Sequence, residues 1–151
     1  MGDAEALRLD AIVKSRAVPL SVEEAFDLFT VGMSRWWPLG THSVAKERAI
    51  DVLFDVSVGG EIVEVDADGK RYVWGTVTEV DRPNRIAFTW HPGRTETTEQ
   101  LVEVTFRPVD EGAELRLEHK GWDKLGEDAV EVHESYTTGW DFVLRHLEPR
   151  V

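Results

Sequence analysis

The amino-acid sequence predicts an α+β fold in which a curved antiparallel sheet of about six or seven strands wraps around one long C-terminal helix. Two patterns predict it. Between residues 49 and 120, apolar and polar side chains alternate, and short turns separate the alternating segments, which is typical of an antiparallel meander. Residues 127–147 instead carry apolar side chains at helical spacing. Such a helix must bury its apolar stripe, and the sheet is the only large surface available to it.

The start of the chain predicts one strand followed by two short helices. Residues 7–18 alternate, and we expect the odd-numbered apolar residues from Leu9 to Val13 to face the core. Ser21 and Glu24 have the spacing of a capping box, in which each side chain accepts a backbone N–H of the other residue, so a helix is expected to begin there. A second short helix is expected over residues 31–37, before a proline.

The remaining strands are predicted from alternation and from the turn residues between them. An Asp-Gly pair at residues 68–69 is a strong hairpin signal, and the glycine pair at residues 59–60 is expected to break or bulge a strand. Trp74 and Val77 should point to opposite faces of their strand unless Gly75 marks a bulge. The predicted strands cover residues 50–58, 61–66, 71–80, 85–91, 101–109 and 113–120.

The composition predicts a single soluble cytoplasmic domain over residues 1–151. The chain has no cysteine, which excludes disulfides and thiolate metal sites and favours a reducing compartment. We find no signal sequence and no apolar run of membrane-spanning length. The formal net charge of −12 repels phosphate backbones and anionic lipids, so neither nucleic acid nor a membrane surface is an expected partner.

Seven sequence segments stand in an order that is found in a known family. They are residues 34–43, Gly59 and Gly60, Trp74 and Gly75 followed by Val77, residues 88–90, residues 104–106, residues 117–122, and Gly139 and Trp140. Together they resemble the bacterial relatives of the activator of heat-shock protein 90 ATPase, within the SRPBCC or START/birch-pollen-allergen superfamily. The resemblance covers about residues 9–147. It implies the helix-grip fold and a cavity between the sheet and the C-terminal helix, but no single activity and no catalytic residue.

Aromatic side chains on the strands and on the last helix are candidates to line this cavity. Apolar clefts with a few polar groups are the usual sites for small molecules, so a small apolar or aromatic ligand is the expected partner. Taken singly, each aromatic residue is better explained by core packing. The candidate cavity residues are Trp36, Trp37, Phe54, Trp74, Phe88, Trp90, Phe106, His119, Trp122, Tyr136 and Trp140.

Trp36 and Trp37, with the loop that runs to Val44, are the best candidates for the mouth of the cavity. Two adjacent tryptophans at the end of a short helix are not expected to face one core. One of them would then be a lid or lie at a dimer contact, or else the pair clamps the loop to the rim of the sheet. The sequence leaves open whether the protein is a monomer or a homodimer.

His119 shares a predicted strand face with two leucines, so its side chain is expected to point inward. A single inward histidine is more often a hydrogen-bonded core residue than a catalyst. The functional alternative makes it a group that orients a ligand, or a general acid/base that titrates near neutral pH. Its expected inward partners are Tyr136 and one of Glu61 and Glu64.

Three functions remain open from the sequence. The first is a binding protein for a small apolar or aromatic molecule. The second is an enzyme of the polyketide cyclase or hydrolase type that uses His119 or an inward glutamate as acid/base. The third is a module that binds a chaperone or regulatory protein through its acidic surface, without a ligand. The five histidines lack metal-binding spacing and no nucleophile or nucleotide motif is present, so we expect no metal and no cofactor.

Overall fold

The computed structural model describes residues 9–147 of the chain. The strands and helices are, in chain order, β1 (Ile12–Val18), α1 (Val22–Phe29), β2 (Ala49–Phe54), β3 (Glu61–Asp66), β4 (Arg71–Asp81), β5 (Arg85–Trp90), β6 (Gln100–Val109), β7 (Gly112–Lys120) and α2 (Ala129–Leu144). The seven strands form one curled antiparallel sheet in the order β1-β7-β6-β5-β4-β3-β2. The predicted α+β helix-grip fold is confirmed.

Helix α1 begins at the predicted capping box. The backbone N–H of Ser21 donates to Oε1 of Glu24 at 3.0 Å, and the backbone N–H of Glu24 donates to Oγ of Ser21 at 3.1 Å. The apolar face of the helix packs on the sheet, where the rings of Phe26 and Phe29 lie 5.4 and 6.1 Å from the ring of Phe106 in β6. Helix α1 therefore closes one end of the core.

The second predicted helix, over residues 31–37, is shorter than expected. The structure has a single 3-10 turn at Met33–Arg35. The backbone N–H groups of Trp36 and Trp37 both donate to the carbonyl oxygen of Met33, at 3.2 and 2.9 Å. A proline disfavours the helical conformation in the residue before it, so Pro38 ends the turn at Trp37.

The predicted inward face of β1 is wrong. Ile12 is buried, whereas Val13 is 45% exposed. The register with β7 sets this orientation, because it pairs Lys14 with the buried Leu117. Even-numbered residues of β1 therefore face α2, where the Lys14 ammonium lies 3.0 Å from a carboxylate oxygen of Asp141. Cationic side chains with long aliphatic stems occupy the inner face. Because they count as polar in the alternation pattern, that pattern predicted the opposite face to be buried. Residues 7–8 of the predicted strand lie outside the described residues.

Strand β2 ends at Phe54 and does not extend to Val58 as predicted. The Asp55 carboxylate accepts the backbone N–H of Ser57 at 3.1 Å and starts a turn. The turn continues through Gly59, whose φ of +87° is readily adopted only by glycine. Val58 is 69% exposed on this turn.

A bulge in β4 turns two large side chains to the core. The β3–β4 register shifts across Trp74, so Trp74 is the extra residue, and both Trp74 and Val77 are 1% exposed. Gly75 is required here, since a Cβ at this position would lie 1.7 Å from the carbonyl oxygen of Thr89. Gly75 therefore marks a bulge, and Trp74 and Val77 both point to the core.

Candidate functional site

A cavity of about 500 Å³ opens beside α2, between that helix, β4 and β5, and the loop at residues 38–46. This volume lies within the range of small-molecule sites. The helix contributes Ser135, Tyr136, Gly139, Trp140 and Val143. The other lining residues are Trp37, Thr41, His42, Ser43, Val44, Lys46, Trp74, Trp90, Pro92 and Gly93.

Four tryptophans form the floor of the cavity. The ring centroid of Trp37 lies 5.1 Å from that of Trp74 and 5.9 Å from those of Trp90 and Trp140. Each of the four is at most 7% exposed, and each indole N–H already has a hydrogen-bond acceptor within the protein. The rings fill the interior between the sheet and α2, so the free space lies at the mouth above them.

Glu64 connects the mouth loop to this floor. Its side chain is fully buried. Its Oε1 accepts the backbone N–H of Val44 at 2.8 Å and the indole N–H of Trp74 at 2.9 Å, while its Oε2 accepts the backbone N–H of Ala45 at 2.7 Å. Three N–H donors offset the cost of burying the carboxylate. The position of the loop is thus tied to the orientation of a floor tryptophan.

Lys46 stands at the mouth on an unusual backbone. Its φ is +54°, and no other non-glycine residue among residues 9–147 has a positive φ. That conformation costs about 1 kcal/mol or more and persists only where surrounding contacts impose it. The Lys46 ammonium turns back over the loop and donates to the carbonyl oxygen of Thr41 at 3.1 Å. The loop therefore holds a cation beside the cavity.

Tyr136 is the main polar group of the helix wall. Its oxygen accepts the indole N–H of Trp90 at 3.2 Å. Within the described part of the chain its own hydroxyl hydrogen meets no acceptor, so it can donate to a ligand. Burial raises the pKa of Tyr136, which keeps the phenol protonated at neutral pH.

His119 lies one layer below the cavity and is fully buried. The indole N–H of Trp140 donates to its Nδ1 at 2.9 Å, and its Nε2 lies 3.1 Å from Oε1 of Gln100. Because Nδ1 accepts, the ring proton is on Nε2 and donates to Gln100. Burial, with a smaller contribution from nearby His133, lowers the pKa of His119 to about 3. His119 is therefore neutral at physiological pH.

Of the expected inward partners of His119, Tyr136 contacts it and the glutamate does not bond to it. Tyr136 contacts its ring edge-on, with centroids 4.8 Å apart, but the hydrogen bonds go to Gln100 and Trp140. Glu64 is indeed the inward member of the glutamate pair, since Glu61 is exposed. Glu64 bonds Trp74 and the mouth loop instead.

The structure divides the eleven predicted cavity residues into two layers. Those that line the cavity are Trp37, Trp74, Trp90, Tyr136 and Trp140. Those that are buried without lining the cavity are Trp36, Phe54, Phe88, Phe106, His119 and Trp122. The deeper layer supports the floor: Phe88 lies 5.6 Å from Trp90, and Trp122 lies 5.9 Å from Tyr136.

The expectation that Trp36 and Trp37 cannot face one core is wrong. They are 1% and 7% exposed, with centroids 5.6 Å apart. Trp36 packs on Phe29 and donates its N–H to the carbonyl oxygen of Leu28 at 2.7 Å, whereas Trp37 donates to that of His42 at 2.7 Å. Within one continuous core, Trp36 thus packs beside α1 and Trp37 packs in the cavity floor.

Sequence reasoning missed the small side of the helix wall. Ser135, Gly139 and Val143 follow one another at four-residue intervals beside Tyr136 and Trp140. A row of small residues next to an aromatic row at helical spacing indicates space that the helix does not fill. Lys46, by contrast, carries no signal in the sequence, because its position depends on how the loop folds.

Two further features bear on the chemistry of the site. Within residues 9–147, no three histidine or acidic side chains are grouped closely enough to hold a metal ion. No helix in that range is long and apolar enough to cross a membrane.

The sequence model of one protein family, described as Activator of Hsp90 ATPase homolog 1-like protein, matches residues 19–151. The chain belongs to this family. The resemblance inferred from its sequence segments is thereby confirmed. No curated protein matches this Activator of Hsp90 ATPase homolog 1-like chain.

Solved structures share the fold of this family member. MLL2253 of Mesorhizobium loti is 18% identical to this chain with a TM-score of 0.67, and the alignment covers 91% of this chain and 93% of MLL2253. CV1439 of Chromobacterium violaceum is 22% identical with a TM-score of 0.64, at 92% and 95% coverage. The anthrahydroquino-gamma-pyrone synthase Txn09, solved in complex with SUM, is 31% identical with a TM-score of 0.60, at 86% and 88% coverage.

Proposed function

We propose that this Activator of Hsp90 ATPase homolog 1-like protein binds a small planar aromatic molecule in the cavity beside α2. The observation that carries the proposal is a cavity of about 500 Å³ whose floor is four packed tryptophans. Aromatic pairs contribute about 0.5–1.5 kcal/mol beyond the burial of their area. A flat ligand of two or three rings fits both the volume and the floor.

The hydrogen bonding of the floor favours the same class of ligand. All four indole N–H groups have acceptors inside the protein, so the floor offers a ligand only ring faces and edges. Free donors occur higher up, at Tyr136 on the helix wall and Lys46 on the loop. This division suits an aromatic body that lies on the tryptophans and carries oxygen substituents toward the mouth.

Similarity to Txn09 supports a ligand of this kind. Txn09 is named as a synthase of an aromatic pyrone, and it is 31% identical to this chain over most of both chains. An aromatic ligand is consistent with that name.

The proposal can be tested with tryptophan fluorescence and a neutral tricyclic probe, anthraquinone-2-carboxamide. We expect saturable quenching by the probe in the native protein and little with laurate, a linear fatty acid. Gly139→Leu should abolish the response, because a Cβ at Gly139 has no atom within 4 Å and a larger side chain there would fill the cavity. Isothermal titration calorimetry measures the same affinities without fluorescence.

Two variants control for the helix substitution itself. Gly139→Ala occupies little of the cavity and should keep the affinity, and Thr138→Leu places the same leucine side chain on the exposed side of α2. Binding that survives Gly139→Leu in a protein shown to be folded by circular dichroism would place the ligand elsewhere. A folded native protein that quenches with no aromatic probe would overturn the proposal.

A second candidate is catalysis on such a ligand, and the synthase name of Txn09 favours it. Tyr136 is a lining residue whose hydroxyl can donate its hydrogen to a ligand carbonyl, whereas His119 is buried below the floor and neutral. The test incubates the protein with a hydroxyanthraquinone that carries an enone side chain next to its phenol. Chromatography then detects whether an isomeric product of unchanged mass is formed. Tyr136→Phe should stop isomer formation and leave binding nearly intact; equal rates in both proteins would exclude this role.

Binding to a chaperone is an alternative function that the family name suggests. An interaction module of this charge would associate with the chaperone in a salt-sensitive manner, and its affinity would be the same in Gly139→Leu as in the native protein. Dependence of such association on the aromatic probe would instead link the two functions.

A further inference from the structure

We infer that the aromatic ligand is an acid, and that Lys46 binds its anionic oxygen at the mouth of the cavity. This inference rests on the proposed function, and it adds the charge of the ligand and the residue that selects it. It follows from the distribution of charge around the cavity, the placement of Lys46 and the supply of hydrogen-bond donors.

The cavity lacks acidic residues in a strongly acidic chain. Aspartate and glutamate make up 29 of 151 residues, and at that frequency about three would be expected among the fifteen lining residues. None of the fifteen is acidic, and one is a lysine. A carboxylate at the mouth would repel an anionic ligand, so the lining is suited to accept one although the protein as a whole carries −12.

Lys46 can turn toward such a ligand. Among residues 9–147 it forms no ion pair, and its ammonium donates only to the neutral carbonyl oxygen of Thr41, itself a lining residue. A ligand anion could therefore bind Lys46 without breaking an existing salt bridge. The positive φ of Lys46 is a conformation that proteins retain mainly at sites where the surroundings impose it.

The charged groups around Lys46 come from several elements. His42 is on the same loop, and its pKa is lowered by burial and by the positive charges of Lys46 and His146. Arg94, beyond β5, is already paired with Asp128 at 3.2 Å. The carboxylate bonded to this loop is Glu64, whose two oxygens accept three N–H groups, and Glu47 follows Lys46 at an exposed position.

Neutral donors complete the match. The Tyr136 hydroxyl faces the cavity with its hydrogen available, and the Ser135 side chain also lines it. A carbonyl, phenol or quinone oxygen on the ligand body can accept these hydrogen bonds, while the acidic group reaches Lys46. The lining thus presents an apolar floor, neutral donors on the helix side and a cation on the loop side.

The test compares two probes of nearly the same shape, anthraquinone-2-carboxylate and anthraquinone-2-carboxamide, in native and Lys46→Met protein. We expect the native protein to bind the acid about three- to tenfold more tightly than the amide, the size of a partly exposed charge-assisted contact. Lys46→Met should abolish that preference by weakening the binding of the acid more than that of the amide. Lys46→Arg, which keeps the charge, should retain most of the preference.

Lys124→Met is the matched control, because it removes one positive charge from an exposed position outside the cavity and should leave the preference intact. If the native protein binds acid and amide equally, or if Lys46→Met keeps the preference, the inference fails while the proposed function stands. If neither probe binds the native protein, the proposed function fails and this inference fails with it. Amide binding that persists in Lys46→Met shows that the cavity is intact in that variant.

Discussion

The indole N–H of Trp140 donates to Nδ1 of His119 at 2.9 Å, and this contact joins the cavity floor to the layer beneath it. It also fixes the tautomer of His119, whose Nε2–H then donates to Gln100. The histidine that looked most like a catalytic group in the sequence is thus a structural one. Its role is to hold the tryptophan that forms part of the binding surface.

Replacing His119 should destabilise the protein by about 2–4 kcal/mol. His119→Phe keeps a ring of similar size but leaves the N–H of Trp140 and Oε1 of Gln100 without partners, at about 1–3 kcal/mol for each buried group. Urea unfolding measures the difference. His133→Phe, at a half-buried position, is the control and should cost less than His119→Phe. Equal losses in the two variants would contradict the structural role of His119.

Lowering the pH below 6.5 should reduce the free energy of unfolding even before the carboxylates begin to titrate. The pKa of His119 is about 3 in the folded protein and near 6.5 in the unfolded chain, so between these values the unfolded state binds more protons. The free energy of unfolding therefore falls as pH drops from 6.5, by up to about 1.4 kcal/mol per pH unit. The lowered pKa of His42 acts in the same direction.

The measurement is the urea midpoint of the native protein and of His119→Phe between pH 4.5 and pH 7. The variant should lose most of the slope that the native protein shows. A slope of the same size in both proteins would mean that His119 is not the group responsible.

Two glycines should respond to alanine in opposite ways. Gly139→Ala places a Cβ in open space within α2, so it should stabilise the protein by about 0.5–1 kcal/mol. Gly75→Ala would put a Cβ 1.7 Å from the carbonyl oxygen of Thr89 and should cost about 2 kcal/mol or more. Thermal unfolding of both variants tests the pair, and a destabilised Gly139→Ala would contradict the open wall of the cavity.

Glu64→Gln should loosen the mouth loop. An amide cannot accept three N–H donors with both of its terminal atoms, so its NH2 group must face at least one of the N–H groups of Val44, Ala45 and Trp74. We expect a loss of about 2–3 kcal/mol in the free energy of unfolding. Hydrogen exchange at Val44 and Ala45 should be faster than in the native protein, and this increase should exceed that in the central strands. Exchange rates in the loop equal to those of the native protein would show that Glu64 does not hold it.

The sequence predicted the fold well where one face of an element is uniformly apolar. The strands β3 to β7 and the final helix lie within a few residues of their predicted bounds, because alternation and helical spacing reflect burial directly. The inner face of β1 was misread because it carries Lys14, whose stem is covered by α2 while its ammonium reaches Asp141. Alternation alone does not show which end of a long cationic side chain is buried.

The site was less predictable than the fold. Aromatic residues pointed to the right region, but their division into lining and support depends on the turn at Trp36 and on the bulge at Trp74. The roles of Lys46 and Glu64 depend on the shape of the loop at residues 38–46, and no periodic pattern in the sequence predicts that shape. The bulge had a sequence signal in Gly75 and the turn had one in Pro38, whereas the position of Lys46 had none.

The most direct test of the central claim is a two-dimensional NMR spectrum of the six tryptophan indole N–H groups during titration with anthraquinone-2-carboxylate. All six N–H groups have defined acceptors in the structure. Binding in the cavity should shift the signals of Trp37, Trp74, Trp90 and Trp140 and leave those of Trp36 and Trp122 almost unchanged, with no shifts in Gly139→Leu. Uniform shifts of all six, or none in a folded native protein, would contradict a ligand site above the tryptophan floor.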